Sequence, residues 1–169
     1  MPSGLLLCMK GRGKGMNIQK CSMDSFAVIG KEGSINDGQG FIGRLWADAT
    51  EHFHEVETLA QKDEDGKPLG FWGAMSDMSR SFRPWEDNFS KGLYLAGVQC
   101  ALDAQAPAGW VKWIVPTCEY LYVETEDETT ISRMIGYMNE QGIELVGAVH
   151  DFICPQTGKN FQFFPICKL

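Results

Sequence analysis

Residues 109–124, "GWVKWIVPTCEYLYVE", set four aromatic rings (Trp110, Trp113, Tyr120 and Tyr122) and two carboxylates (Glu119 and Glu124) around one proline, Pro116. The β-branched and aromatic content reads as a strand. A strand buried on both faces would be a run of Val, Ile and Leu, so this one has a second role. Side chains alternate along a strand, which puts Tyr120, Tyr122 and Glu124 on one face and Glu119, Leu121 and Val123 on the other. Leu121 and Val123 suit a face covered by a helix, and the two tyrosines then line the open face. Pro116 predicts a bulge or kink within this strand.

Two similar series of elements flank the stretch. Before it, "DSFAVIGKEGSI" (24–35) reads as a strand, and "NDGQG" turns the chain. "FIGRLWADATEHFHEVETLA" (41–60) reads as an amphipathic helix, with Phe41, Leu45, Trp46, Ala49, Phe53 and Val56 at three- and four-residue steps. "GFWGAMSDM" (70–78) and "GLYLAGVQC" (92–100) are strands, joined by a loop that carries Trp85 and Phe89. After the stretch comes a second amphipathic helix, "EDETTISRMIGYMNEQG" (126–142), with a stripe of Ile131, Met134, Ile135 and Met138 and a closing Gly142. The strands "IELVGAVHDFI" and "NFQFFPICK" end the chain. The order is one βαββ unit used twice. It predicts an α+β fold with an antiparallel sheet, two helices on one face and a ligand cleft between the halves.

With 169 residues the chain suits one domain, assigned to 16–169. Residues 1–15, Gly-rich and basic at their end, show no periodicity and are expected as a poorly ordered tail or remnant ahead of it. The net charge of -7 argues against nucleic acid, which selects a basic face, and tolerates cationic small molecules. No apolar run approaches the length of a membrane span. The six cysteines show no CxxC spacing and no zinc-finger histidine. They read as reduced, mostly buried thiols of a cytoplasmic protein without a secretory signal.

Three motifs have ordinary readings. Gly38-Gln39-Gly40-Phe41-Ile42-Gly43 matches GxGxxG, but a run of strands follows it rather than further βαβ units, so the glycines serve the turn. His52 and His54 are two apart on a helix and point to different faces. His150, Asp151 and Cys154 lie close in sequence, without a nucleophile elbow. No metal and no cofactor is called for. The aromatic–acid set carries more: Trp72, Trp85, Tyr94, Trp110, Trp113, Tyr120 and Tyr122, with Glu119, Glu124 and Asp151 as acids. Rings offer large, rigid contact area and attract cations through their faces, and a carboxylate adds charge selectivity.

Over residues 17–168 the sequence resembles the GyrI-like effector-binding family. The resemblance rests on "FAVIGKEGS", "GFIGRLWADATEHFHE", "GFWGAMSDMS" and "GLYLAGV". Its most specific parts are Trp110, Trp113, Pro116 and Tyr120 of the opening stretch and the ending "GAVHD…FFPI". It implies a tandem βαββ (SHS2-type) fold with an aromatic pocket that usually holds a buried acid. The implied ligands are amphipathic, cationic or aromatic drugs. Many relatives are the sensing halves of AraC- and MerR-type regulators. This chain is expected to be a standalone binding module with no helix-turn-helix and no direct DNA contact, with a homodimer left open. Gln99 stands where an acid is expected in close relatives, and Asp151 where Glu is common. Some relatives hydrolyse cyclopropane-bearing compounds with an acid and a Tyr, which here would draw on Glu119, Tyr120 and Asp151. Others inhibit a larger enzyme as protein partners. On the binding reading, Glu119→Gln is expected to weaken cationic dyes.

Overall fold

The computed structural model describes residues 11–13 and 15–169. Its strands are β1 (Gly11–Gly13), β2 (Met16–Met23), β3 (Phe26–Ser34), β4 (Phe71–Ser76), β5 (Leu93–Cys100), β6 (Val111–Val115), β7 (Cys118–Glu124), β8 (His150–Ile153) and β9 (Asn160–Lys168). The two helices of the repeat are α1 (Phe41–Glu51) and α3 (Thr130–Gln141). Between them α2 (Glu86–Phe89) is a single turn in which Asp87 and Asn88 have left-handed φ of 50° and 57°. Gly11–Gly13 pairs with Met16–Ile18. The rest of the expected tail, apart from Gly15, lies outside the described residues.

All strand pairs are antiparallel, in the order β1-β2-β7-β9-β8-β4-β5-β3-β6. Apart from the added edge strand β1, the order is symmetric about the β8–β4 pair. β3-α1-β4-β5 and β7-α3-β8-β9 are the two βαββ units. Each is preceded by a strand, β2 or β6, that pairs with the opposite unit. This strand exchange forces the sheet to curl. β2 and β3 are six places apart in the sheet, roughly 29 Å if it were flat. Yet only Asp24 and Ser25 join them, a link that reaches about 10 Å. Pro116 and Thr117 make the matching link from β6 to β7, and the two links meet where Ser25 N–H donates to Thr117 Oγ1 at 3.0 Å. The sheet is therefore rolled, with an inner and an outer face.

The opening stretch is thus two strands at opposite sides of the sheet, not one kinked strand. Pro116 has no N–H to offer a ladder, and the chain turns a corner there. Alternation then sorts the side chains. Tyr120 and Tyr122 face inward into an aromatic core with Trp72, Trp113 and Phe163. Leu121 and Val123 face outward and pack under Met134 and Met138 of α3. Most of the inner face packs ring on ring inside the roll rather than lying open to solvent.

Two further expectations shift, and the turn reading of the GxGxxG run holds. The helix predicted over 41–60 ends at Glu51 and continues as two 3-10 turns, Phe53–Glu55 and Glu57–Leu59. These turns repeat every three residues, which aims Phe53, Val56 and Leu59 together at the core under α1. The strand predicted over 143–153 is a ladder only over His150–Ile153. Ahead of it Val146 N–H and Ala148 N–H bond to Pro165 and Phe82 carbonyls instead. The GxGxxG run is a turn: Gly38 and Gly40 have φ of 97° and 79°, and the Arg44 guanidinium donates to the Asp37 and Gln39 carbonyls across it. Among the described residues no helix is long and apolar enough to cross a membrane.

Candidate ligand-binding site

The central strands β4 and β8 pair Phe71–Gly73 with Asp151–Ile153, at the junction of the two units. α1 packs on β3 and β5, and α3 packs on residues of β2, β7 and β9. The outer face of β4 and β8 is the floor of a seam between the helices. Asp151 sits half-buried on that floor. Its Oδ2 accepts from Tyr94 Oη at 2.9 Å, and its Oδ1 from Gln162 Nε2 at 3.3 Å. Tyr94, 1% exposed, in turn accepts from Trp46 Nε1 of α1 at 3.1 Å. Gly73 makes room for this group, since a Cβ there would lie 1.8 Å from Tyr94 Oη.

The electrostatics follow from burial. Removal from water pushes the Asp151 carboxyl above the usual carboxylate range, and the hydrogen bonds from Tyr94 and Gln162 pull the other way without cancelling it. The Tyr94 phenol rises well above its ordinary value, through burial first and the Asp151 charge second. Asp151 forms no ion pair with any Lys or Arg among the described residues. The buried Gln162 Oε1 has no hydrogen-bond partner among the described residues. The seam floor is thus an acid with no cation to pair with and an amide oxygen with no donor.

One row along the same strands the floor becomes apolar. Phe71, Ile153 and Val98, with Trp46, Phe53 and Trp110 around them, line a cavity of about 290 Å³. Trp46 spans both parts, since its N–H holds Tyr94 while it also lines the cavity. Trp110 Nε1 is buried there without a partner among the described residues, and the Lys31 ammonium stands 4.3 Å from the centre of a Trp110 ring.

The inner face has a different character. His150, 2% exposed, accepts the Met75 N–H at Nδ1 (3.0 Å), and burial holds its pKa down at about 4. It is therefore a neutral ring among the rings of Trp72, Phe82 and Tyr120. Trp72 Nε1 donates to Gln99 Oε1 at 3.0 Å, and Gln99 Nε2 to Gln61 Oε1 at 3.2 Å. A second cavity, about 480 Å³, opens beside these groups inside the roll. Among the described residues there is no cluster of three His, Cys, Asp or Glu placed to hold a metal ion.

Among solved structures, SAV2435 bound to tetraphenylphosphonium aligns at a TM-score of 0.64 and 12% identity, covering 89% of this chain and 94% of that one. The EcmrR C-terminal domain aligns at 0.58 and 12%, covering 91% and 99%. This chain has a GyrI-like fold. A hydrolase from Listeria innocua shares the arrangement at a TM-score of 0.50 and 12% identity, covering 88% and 90%. No protein-family model and no curated protein matches the sequence.

Within the GyrI-like fold the predicted site residues divide between the two faces. Asp151 and Tyr94 meet in the seam, and Trp110 lines the cavity beside them. Trp72 and Tyr122 line the inner cavity. Tyr120 and Trp113 belong to the inner core, Trp113 donating to Glu32 Oε2 at 2.7 Å. Trp85 lies against the Phe41–Tyr94 cluster and bonds the Leu93 carbonyl at 3.0 Å. Glu119 is on the outer surface, paired with Lys20, and lines neither cavity. The acid and tyrosine that come together are therefore Asp151 and Tyr94, not Glu119 and Tyr120. Trp46, Phe71, Ile153 and Gln162 are additions. Trp46 and Phe71 carried no signal beyond helix periodicity and strand character, and Ile153 and Gln162 enter the seam through a register visible only once β4, β8 and β9 are paired.

Proposed function

We propose that the protein binds small aromatic cations in the seam between its halves, with the rings of the outer cavity holding the apolar body and Asp151 facing the charge. The observation that carries this reading is Asp151 itself. It is a carboxyl without a cationic partner among the described residues, lifted in pKa by burial and set one residue row from an apolar cavity. An arriving cation supplies the missing opposite charge and draws the carboxyl to its ionised form. The trade is favourable because the lone charged form is costly in this setting. The fold shared with SAV2435, a protein solved with tetraphenylphosphonium, supports the ligand class.

The test is titration of the full chain with tetraphenylphosphonium and with neutral triphenylphosphine oxide, followed by tryptophan fluorescence. Saturable binding of the cation, weakened at least tenfold by Asp151→Asn while the neutral compound is unaffected, is the expected result. Equal loss for both compounds, or no loss for either, would overturn it.

The Tyr94–Asp151 contact also favours a second reading, in which Asp151 takes a proton from water and Tyr94 steadies the attacked substrate. Strained-ring compounds are the substrates to try. Turnover that disappears in both Tyr94→Phe and Asp151→Asn would establish a hydrolase, and its absence leaves binding alone.

A further inference from the structure

Among the described residues three buried side-chain polar atoms have no hydrogen-bond partner, and two of them belong to the seam and its cavity. Gln162 Oε1 is an acceptor and Trp110 Nε1 a donor, on side chains that are each 7% exposed. Native folds seldom bury such groups unmade. We infer that these two atoms set the ligand specificity of the seam. They select an aryl amidinium, or another planar cation with N–H on two nitrogens, that carries a hydrogen-bond acceptor at the far end of its ring body. The inference rests on the seam reading and names the ligand within it.

The Gln162 amide is held in one orientation. Its Nε2 donates to Asp151 Oδ1 at 3.3 Å, and an ionised carboxylate accepts only from the nitrogen side of an amide. Oε1, on the same amide, is left as a separate acceptor beside the carboxylate. Each Asp151 oxygen accepts one bond, from Tyr94 or from Gln162, and a carboxylate oxygen has room for a second. The floor thus offers two neighbouring acceptors, one charged and one neutral. A planar amidinium fits both, one nitrogen donating to Asp151 and the other to Gln162 Oε1, in the forked manner in which guanidinium groups meet carboxylates. A quaternary cation answers the charge and leaves Oε1 unmade.

Trp110 fixes the other end. The cavity runs from Ile153 on β8 over Phe71 on β4 to Val98 on β5, two strand spacings or roughly 10 Å. Trp110 stands on the β5 side, in one cluster with Val98 and Ile29. The Lys31 ammonium, 4.3 Å from the centre of a Trp110 ring, occupies a face of the indole. Its charge repels a ligand's cationic end from there and turns that end toward Asp151. What remains at Trp110 is the N–H, which asks for an acceptor. One ring with a substituent at each end, together with its hydrogen bonds, spans such a cavity.

The experiment uses the full chain and three probes, read by calorimetry: 4-methoxybenzamidine, benzamidine and (4-methoxyphenyl)trimethylammonium. The first is expected to bind at least about fivefold tighter than either of the others, the loss of one hydrogen bond or more. Gln162→Met removes Oε1 and lowers the affinity of 4-methoxybenzamidine severalfold relative to that of the quaternary probe, a ratio in which any change at Asp151 cancels. Trp110→Phe keeps a ring and removes the N–H, so the preference for 4-methoxybenzamidine over benzamidine disappears. If Gln162→Met fails to fold, the wild-type comparison of the amidinium and quaternary probes decides the same point. Equal affinity for those two, no binding of either benzamidine, or a methoxy preference that persists in Trp110→Phe would each overturn the inference. The seam reading then still stands if Asp151→Asn weakens the cations that do bind. An Asp151→Asn variant that binds every cation as the wild type does would instead overturn the seam reading, and this inference with it.

Discussion

The inner and outer faces of the rolled sheet are made from the same strands, one residue apart, and do opposite things. Inward, His150 is neutral, Trp72 and Gln99 satisfy each other, and the rings pack on rings. Outward, the very next residue, Asp151, is an acid without a cation, beside a buried amide oxygen without a donor. The inner face is built to be complete and the seam is built to be completed. A chain that leaves polar groups unsatisfied in one place, while satisfying them a residue away, marks where a ligand supplies the rest.

The comparison breaks first at Trp72. Trp72→Ala removes a ring that is 2% exposed and takes the indole donor from Gln99 Oε1, so it is expected to cost about 3–5 kcal/mol in denaturant unfolding. A cost below about 1 kcal/mol would mean that the inner core is not the structural face.

Next comes the pH dependence of stability. The pKa of His150 is about 4 folded against 6.5 unfolded, so the unfolded chain binds more protons between these values. Its contribution is complete above pH 6.5 and is lost as pH falls toward 4, on the order of 3 kcal/mol. Asp151, with a raised pKa, acts in the opposite sense, which is why the measurement is the difference between wild type and His150→Asn. The variant should show the flatter profile.

Gly73→Ala sharpens the outer side. The added Cβ displaces Tyr94 from over the floor, at about 1–3 kcal/mol of overpacking, and loosens its hold on Asp151. Cation affinity should fall along with stability. The smallest expected effect is Glu119→Gln. Its ion pair with Lys20 is partly exposed, so stability changes by about 0–1 kcal/mol and tetraphenylphosphonium affinity stays the same.

Much of this was legible in the sequence. The period-two pattern of 118–124 assigns Leu121 and Val123 to the helix side and the tyrosines to the other, as the packing has it. The βαββ repeat follows from helix and strand periods alone. What the sequence withheld is non-local. Nothing in "VPTC" says that the chain leaves one unit and pairs with the other, since the exchange becomes visible only through β2–β7 and β6–β3 pairing. For the same reason the candidates Glu119, Tyr120 and Asp151 can be named from the sequence without saying which acid meets which tyrosine. The pair that forms joins Tyr94 and Asp151, 57 residues apart. Met16–Met23 gives no strand signal of its own, because Met16 and Ile18 find their cover only when α3 is placed.

The central claim is that Asp151 is the charge an aromatic cation meets. The most direct measurement is tetraphenylphosphonium affinity from about pH 4 to pH 7, for wild type and Asp151→Asn side by side. Ionised Asp151 binds the cation and protonated Asp151 does not, so wild-type affinity should climb with pH through the raised carboxyl pKa, and the variant should stay weak and flat. Parallel profiles for the two proteins would contradict the account.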